Sequence, residues 1–383
     1  MTKIGVVTVG RSDFGLYRPL LRALSQDRNF DVQLIVGGMH LSEAFGNTLR
    51  EIEAEGFSPA ALVDMEIGET DALRTALSMG LGTQRFAEAY VSLEPDIVIV
   101  LGDRYEMHSA AVATVPFNLP LIHIAGGNVT EGAFDDAFRH SITKLAHVHF
   151  TDTEECARRV RQMGEPADRV FATGALGLDN LHHIDLPSKD DLFARYDLRT
   201  DRPTLLVTMH PTTRTPHKAE AHIATLLSAL EKLKIQAMIT APNADPGGAV
   251  MLDAIKAFVS THDRARYVDN LGTRNYFGFL KYASAMVGNS SSGLVEAASF
   301  RLPVVDIGIR QAGRLAPANV IHCEHDTDAT IAAIERALSP DFAASLTDLV
   351  NPYGDGHAAE QMIEILSTLP PRDILIQKKF IDL

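Results

Sequence analysis

The chain has 383 residues, of which 46% are hydrophobic and 22% charged, enough apolar content for two globular cores. Its 35 basic and 49 acidic residues leave a formal net charge of −14, which excludes nucleic acid and anionic membrane surfaces as partners, because no basic field exists to attract them. Cys156 and Cys323 form neither a disulfide framework nor a zinc pattern, so both read as reduced thiols of a cytoplasmic protein.

A strand pattern begins at Lys3, which leaves no room for a signal peptide, and no apolar run approaches the ~20 residues of a membrane helix. Apolar runs at residues 4–9, 32–36, 97–101, 121–125 and 148–151 predict strands, with helical patterns between them over 14–24, 41–55, 73–93 and 134–145. Runs this short and continuous suit parallel strands covered on both faces. A second series of strands follows at 204–209, 237–240, 267–268, 285–287 and 303–307, and a last helix at 358–369 ends at Pro370 and Pro371. The alternation predicts an α/β chain of two doubly wound halves. The pattern is interrupted over 174–190 by Gly174, Gly177 and Pro187. The expected domains are therefore 1–175 and 176–355, with the C-terminal segment at about 356–383 packing back on the first.

Ligands of such sheets gather beyond the carboxyl ends of strands, and five segments occupy those positions. After the first strand, Gly10-Arg11-Ser12-Asp13-Phe14-Gly15 lacks the glycine spacing of a dinucleotide fingerprint but puts Arg11 at a helix mouth. It reads as an anion site or as a capped helix with a solvated arginine. Asp103 follows the wholly apolar run 97–101. A poorly solvated carboxylate there suits proton transfer, and an N-cap aspartate is the alternative. The segment 123–140 carries Glu131, Asp135 and Asp136 from a glycine pair into a helix, as acid–base groups or as favourable charges at a helix N-terminus. His210 precedes a proline-fixed loop, where it can donate to a phosphate or be structural.

The fifth segment is Gly288-Asn289-Ser290-Ser291-Ser292-Gly293, a small-residue turn between a strand and a helix pattern that includes Leu294, Ala297, Ala298 and Phe300. It reads as a diphosphate turn, with Gly293 permitting close approach, or as an N-capped helix. Glu296 one turn on is placed for paired hydroxyls such as a ribose, and Arg310 and Arg314 offer forked donors for pyrophosphate. The histidines lack metalloprotease spacing, so no metal is expected.

With these segments in order, the chain resembles the hydrolysing UDP-N-acetylglucosamine 2-epimerases of bacterial sialic and legionaminic acid biosynthesis, nearly from end to end. The resemblance rests on Gly10 to Gly15, Gly102-Asp103-Arg104-Tyr105-Glu106, Arg139-His140-Ser141-Ile142-Thr143-Lys144, Gly288 to Glu296, Ile307 to Arg314, and Asn351-Pro352-Tyr353-Gly354. It implies a GT-B type pair of Rossmann-like domains with a cleft between them, the nucleotide on the C-terminal half, no cofactor, and a homo-oligomer. The implied reaction eliminates the nucleoside diphosphate to give 2-acetamidoglucal, then hydrates it with inversion at C2, yielding N-acetylmannosamine and UDP from UDP-N-acetylglucosamine. Asp103, Glu131 and Asp135 fit the acid–base roles, and Arg11, Asp13, His210, Arg310 and Arg314 fit the substrate and its phosphates. Ser290, Ser291, Ser292 and Gly293 fit the diphosphate turn, Glu296 the ribose, and Tyr276 and Phe277 the segment that lines the base.

The sequence departs from the resemblance at Asn128 and Ala125, where many relatives carry an acidic residue and a histidine. Related UDP- or GDP-linked 2-acetamido sugars are therefore open as substrates. A non-hydrolysing epimerase, a GT-B glycosyltransferase and a nucleotide-sugar sensor are the alternative functions.

Overall fold

Seven parallel strands form the first sheet of the computed structural model, which describes residues 1–43, 46–68, 71–130, 135–212, 215–243 and 245–382. They are β1 (Thr2–Thr8), β2 (Phe30–Gly37), β3 (Ala61–Val63), β4 (Ile97–Leu101), β5 (Leu121–Ile124), β6 (Val148–Thr151) and β7 (Val170–Ala172), in the order β3-β2-β1-β4-β5-β6-β7. Six more make a second parallel sheet: β8 (Thr204–Thr208), β9 (Gln236–Thr240), β10 (Ala265–Val268), β11 (Ala285–Gly288), β12 (Val304–Ile307) and β13 (Val320–Cys323), in the order β10-β9-β8-β11-β12-β13. The α/β class predicted from the alternating pattern holds for both halves.

The chain divides into two compact units, one of Met1–Asn128, Phe134–His182 and Tyr353–Leu383, the other of Val129–Ala133 and His183–Pro352. The core of the first is built on strands buried on both faces, such as Ile4, Val98, Ile99 and Ile122 at 0% exposure. Burying each such side chain contributes ~1.5–3 kcal/mol before chain entropy is charged against it. The helix Ala358–Thr368 belongs to the same core through Met362 and Leu366. Asp179 caps its start, accepting from Ala358 N at 3.0 Å and Ala359 N at 2.6 Å.

Two expectations change. The helix expected over 41–55 shrinks to Leu49–Ala54, preceded by a 3-10 turn at Gly38–Leu41. The helix expected after the serine turn is a four-residue piece, Ser292–Val295, followed by a 3-10 turn at Ala297–Phe300. No helix among the described residues is long and apolar enough to cross a membrane.

Strand order reverses between β1 and β4 in the first sheet and between β8 and β11 in the second. Loops leaving adjacent strands diverge at such a switch point and open a crevice at the carboxyl edge. Asp13 stands in the first turn of the helix after β1 and Asp103 in the loop after β4, while the loops after β8 and β11 carry His210 and the serine turn.

Candidate active site

In the first unit, Asp13 sits in the first turn of the helix Arg11–Gln26 and turns back beneath β1, only 4% exposed. One carboxylate oxygen accepts from Thr8 Oγ1 at 2.6 Å and from Val9 N at 2.9 Å. The other is buried with no partner among the described residues. Burial raises this carboxyl to about 6, against the lowering effects of Thr8, Val9 and the Arg104 charge. Through Thr8 and Val9, Asp13 holds the turn after β1 from below. Arg11 is exposed and pairs with Glu51 at 3.2 Å, a surface ion pair of small worth.

Asp103 leaves β4 half-buried and forms an ion pair with Arg139, a guanidinium only 2% exposed on the helix Asp135–Leu145. Arg139 Nη1 donates to Asp136 Oδ1 at 2.6 Å and to the Asn128 carbonyl at 3.0 Å. The expected dry rim at Asp103 thus contains a counter-charge, and pairing favours the ionised carboxylate that a base requires. Asp135 lies at the head of the same helix, and Glu131 lies outside the described residues. Asn128, 8% exposed, donates from Nδ2 to Asp152 Oδ2 at 2.6 Å, and its Oδ1 accepts from the Cys156 thiol at 3.4 Å. A carboxylate at 128 would face that of Asp152, so an amide is the residue type that this contact admits. His123 is buried, donates from Nε2 to the Gly102 carbonyl at 2.8 Å, and is lowered by burial to about 3. It braces the loop after β4.

The second unit builds its site largely from neutral polar groups, with Arg310 and Arg314 beside them. Gly288 ends β11 at φ 141°, and a Cβ there would lie 1.9 Å from the Thr208 carbonyl, so only glycine lets β11 and β8 finish side by side. The Ser291 side chain makes no capping bond, and a four-residue helix carries little dipole. Ser290 Oγ accepts from Ser292 N at 3.4 Å, a local bond of the kind a helix cap makes, while Ser290 and Ser292 both face the Tyr276 phenol. Ser292 Oγ is buried. Tyr276 turns its phenol toward this turn. Burial raises the phenol to about 12, with Ser292, Thr208 and Ser290 opposing and the Glu296 carboxylate adding to the rise. Phe277 is 5% exposed and packs on Phe300, ring centroids 6.0 Å apart.

His210 receives an N–H from Asn243 on Nδ1 at 3.0 Å. Burial, with Arg310 adding, lowers its ring to about 3. Arg310 Nη1 donates to the Asn289 carbonyl at 3.1 Å, and Arg314 Nη2 reaches Thr130 Oγ1 at 3.4 Å. Among the described residues no group of three or more His, Cys, Asp or Glu side chains is placed to hold a metal ion.

Each unit thus brings polar groups to its switch point, acidic in the first and hydroxyl-rich in the second. Residues 22–367 match the family described as UDP-N-acetylglucosamine 2-epimerase. The chain belongs to that family. Among its relatives is the GDP/UDP-N,N'-diacetylbacillosamine 2-epimerase (hydrolyzing) of Campylobacter jejuni, 36% identical over 100% of this chain and 99% of the relative. A UDP-N,N'-diacetylbacillosamine 2-epimerase (hydrolyzing) of Legionella pneumophila is 34% identical over 98% of each chain. The solved UDP-GlcNAc 2-epimerase of Neisseria meningitidis shares the fold at a TM-score of 0.83 and 17% identity, covering 96% of this chain and 100% of that one. The GT-B type of fold expected for this epimerase is therefore the one observed.

Sequence reasoning had placed Arg139 only in a matching block and had assigned Asn289 and Asp152 no role. A signal for Arg139 was present: Asp136 and Arg139 stand three apart at a helix start, on one face. Nothing local marks Asn289, whose partners lie 79 and 22 residues away.

Proposed function

We propose that this epimerase hydrolyses a nucleoside-diphosphate-linked 2-acetamido sugar with inversion at C2, and that its substrate is a UDP- or GDP-linked N,N'-diacetylbacillosamine. The observation that carries this reading is the end-to-end similarity to two relatives named for that hydrolysis, at 36% and 34% identity. The amide at Asn128, held between Asp152 and Cys156, supports a sugar-facing loop that differs from that of an enzyme for UDP-N-acetylglucosamine.

In the proposed reaction the C1–O bond to the diphosphate breaks as a carboxylate of the first unit takes the C2 proton, leaving a C1=C2 glycal. Water then adds its hydroxide to C1, and C2 receives a proton on the opposite face. The products are the free C2-inverted sugar and the nucleoside diphosphate. Asp103, with Arg139 as counter-ion, and Asp135 are the acid–base groups. Ser290, Ser291, Ser292, Tyr276, His210 and Arg310 hold the departing diphosphate, and Glu296 holds the ribose.

The test is to incubate the enzyme separately with UDP- and GDP-N,N'-diacetylbacillosamine and with UDP-N-acetylglucosamine in D2O, following the anomeric and C2 protons by NMR. Free nucleoside diphosphate with a C2-deuterated, inverted sugar from a diacetamido substrate is the expected result. Turnover confined to UDP-N-acetylglucosamine would replace the substrate, and a retained UDP-sugar would replace hydrolysis by simple epimerisation.

A further inference from the structure

The loops after β8 and β12 converge on Asn289, in the turn after β11, a residue given no role of its own. Asn289 is 1% exposed. Its Oδ1 accepts from His210 N at 2.7 Å and its Nδ2 donates to the His210 carbonyl at 2.9 Å. The carboxamide thus pairs with both backbone polar groups of His210, one from each of its two flanking peptides, across the switch point between β8 and β11. Its own backbone is held as firmly: N donates to Thr208 O at 3.1 Å, and its carbonyl accepts from Arg310 Nη1 at 3.1 Å and from Gln311 Nε2 at 2.8 Å. An amide is the side chain this pairing needs, since an aspartate would set an oxygen against the His210 carbonyl and an aliphatic residue would leave both peptide groups unpaired.

The clamp fixes where His210 stands, and Asn243 fixes its proton. Because Asn243 N donates to Nδ1 at 3.0 Å, the neutral ring must carry its hydrogen on Nε2. Protonating Nδ1 would set two N–H groups against each other. Among the described residues Arg310 is the charged group that bears on the ring, and it too disfavours the imidazolium.

We infer that Asn289 is a positioning residue that holds His210 as a neutral Nε2–H donor beside the serine turn. His210 then gives a hydrogen bond to an anionic oxygen and takes no proton, so it serves as a donor and never as the general base. This rests on the proposed diphosphate role of the turn, although the ring's state is readable without any ligand.

The experiment has two arms. In the ligand-free protein, ¹⁵N NMR of the His210 ring should show the Nε2–H tautomer with no titration between about pH 5 and 8. A ring that titrates there, or carries its proton on Nδ1, overturns the inference even if Asn289 variants fail to fold. In the second arm, UDP binding is measured by calorimetry on Asn289→Ala, His210→Ala and the double variant. Each single change should weaken binding about tenfold, the size of one lost donor, and the double variant should be little weaker than His210→Ala alone. Losses that add in full mean that Asn289 does not act through His210 and overturn the inference. Wild-type protein that does not bind UDP would remove the proposed function while leaving the first arm to decide the state of His210.

Discussion

In the first unit a buried guanidinium, Arg139, is paired with the carboxylates of Asp103 and Asp136. In the second, the turn after β11 is ordered by the Asn289 amide, and the Tyr276 phenol faces its hydroxyls. The difference follows the chemistry proposed for each. Proton transfer needs a group that changes charge, and a nearby opposite charge keeps it ionised in a poorly solvated place. Holding and then releasing an anion is better served by oriented neutral dipoles, which carry a smaller desolvation cost than buried ions. A chain with net charge −14 has further reason to bind anions by local donors, because its overall field repels them.

The comparison breaks most visibly at Asp103. Asp103→Asn should lower turnover by on the order of 10²–10⁴ while UDP affinity by calorimetry changes little, since the donors proposed for UDP lie in the other unit. Near-normal turnover would reduce Asp103 to a counter-ion for Arg139. Arg139→Met should cost about 3 kcal/mol in urea unfolding, at the low end for breaking a buried pair because Asp103 and Asp136 keep some water. An unfolding midpoint equal to wild type would mean the pair adds nothing.

Asp13 gives a pH-dependent contrast. Its folded carboxyl lies at about 6 against an ordinary 3.8, so the folded chain binds the proton more tightly. Its contribution to stability is therefore greatest below 3.8 and is lost as pH rises through 6. Asp13→Asn should remove that loss, on the order of 3 kcal/mol across the window, read as the difference from wild type in denaturation curves. An unchanged slope would show that the buried carboxyl does not titrate there. For the second unit, Glu296→Ala should weaken UDP binding by about 1–3 kcal/mol, and unaltered calorimetry would take Glu296 out of the nucleotide site. The smallest effect belongs to Tyr276→Phe, about 0.5–1.5 kcal/mol in UDP affinity for one neutral hydroxyl. A larger loss would mean that the phenol does more than donate one hydrogen bond.

The central strands were legible because burial on both faces writes an uninterrupted apolar run, as in β4 with Ile97-Val98-Ile99-Val100-Leu101. The strands missed were β3, β7 and β13, and β10 was read at half its length; these are the four sheet edges. Edge strands are often short or half-exposed: Ala61-Leu62-Val63 is apolar but only three residues long, and Val320-Ile321-His322-Cys323 is interrupted by a histidine. At the site, strand-end position singled out Asp103, His210 and the serine turn, and these lie where the strand order of the two sheets reverses. What escaped was tertiary. An arginine reads as solvated until a fold buries it, and the pairing of Asn289 with His210 joins loops that are neighbours only once β8 and β11 lie side by side. The turn's helix was overdrawn because Leu294, Ala297 and Ala298 have helical spacing, yet the α-helix ends at Val295.

The helix Ala358–Thr368 completes the core of the first unit, and this sets an order on the ribosome. The long stretch His183–Pro352 emerges whole and can fold as soon as it clears the exit tunnel. The earlier unit, synthesised first, waits with the bed for Met362 and Leu366 exposed to water. At ~5–20 residues per second that delay lasts roughly 10–35 s. The half that is translated first is thus the half that finishes last, and nascent chains arrested before residue 358 should present its uncovered apolar surface to chaperones.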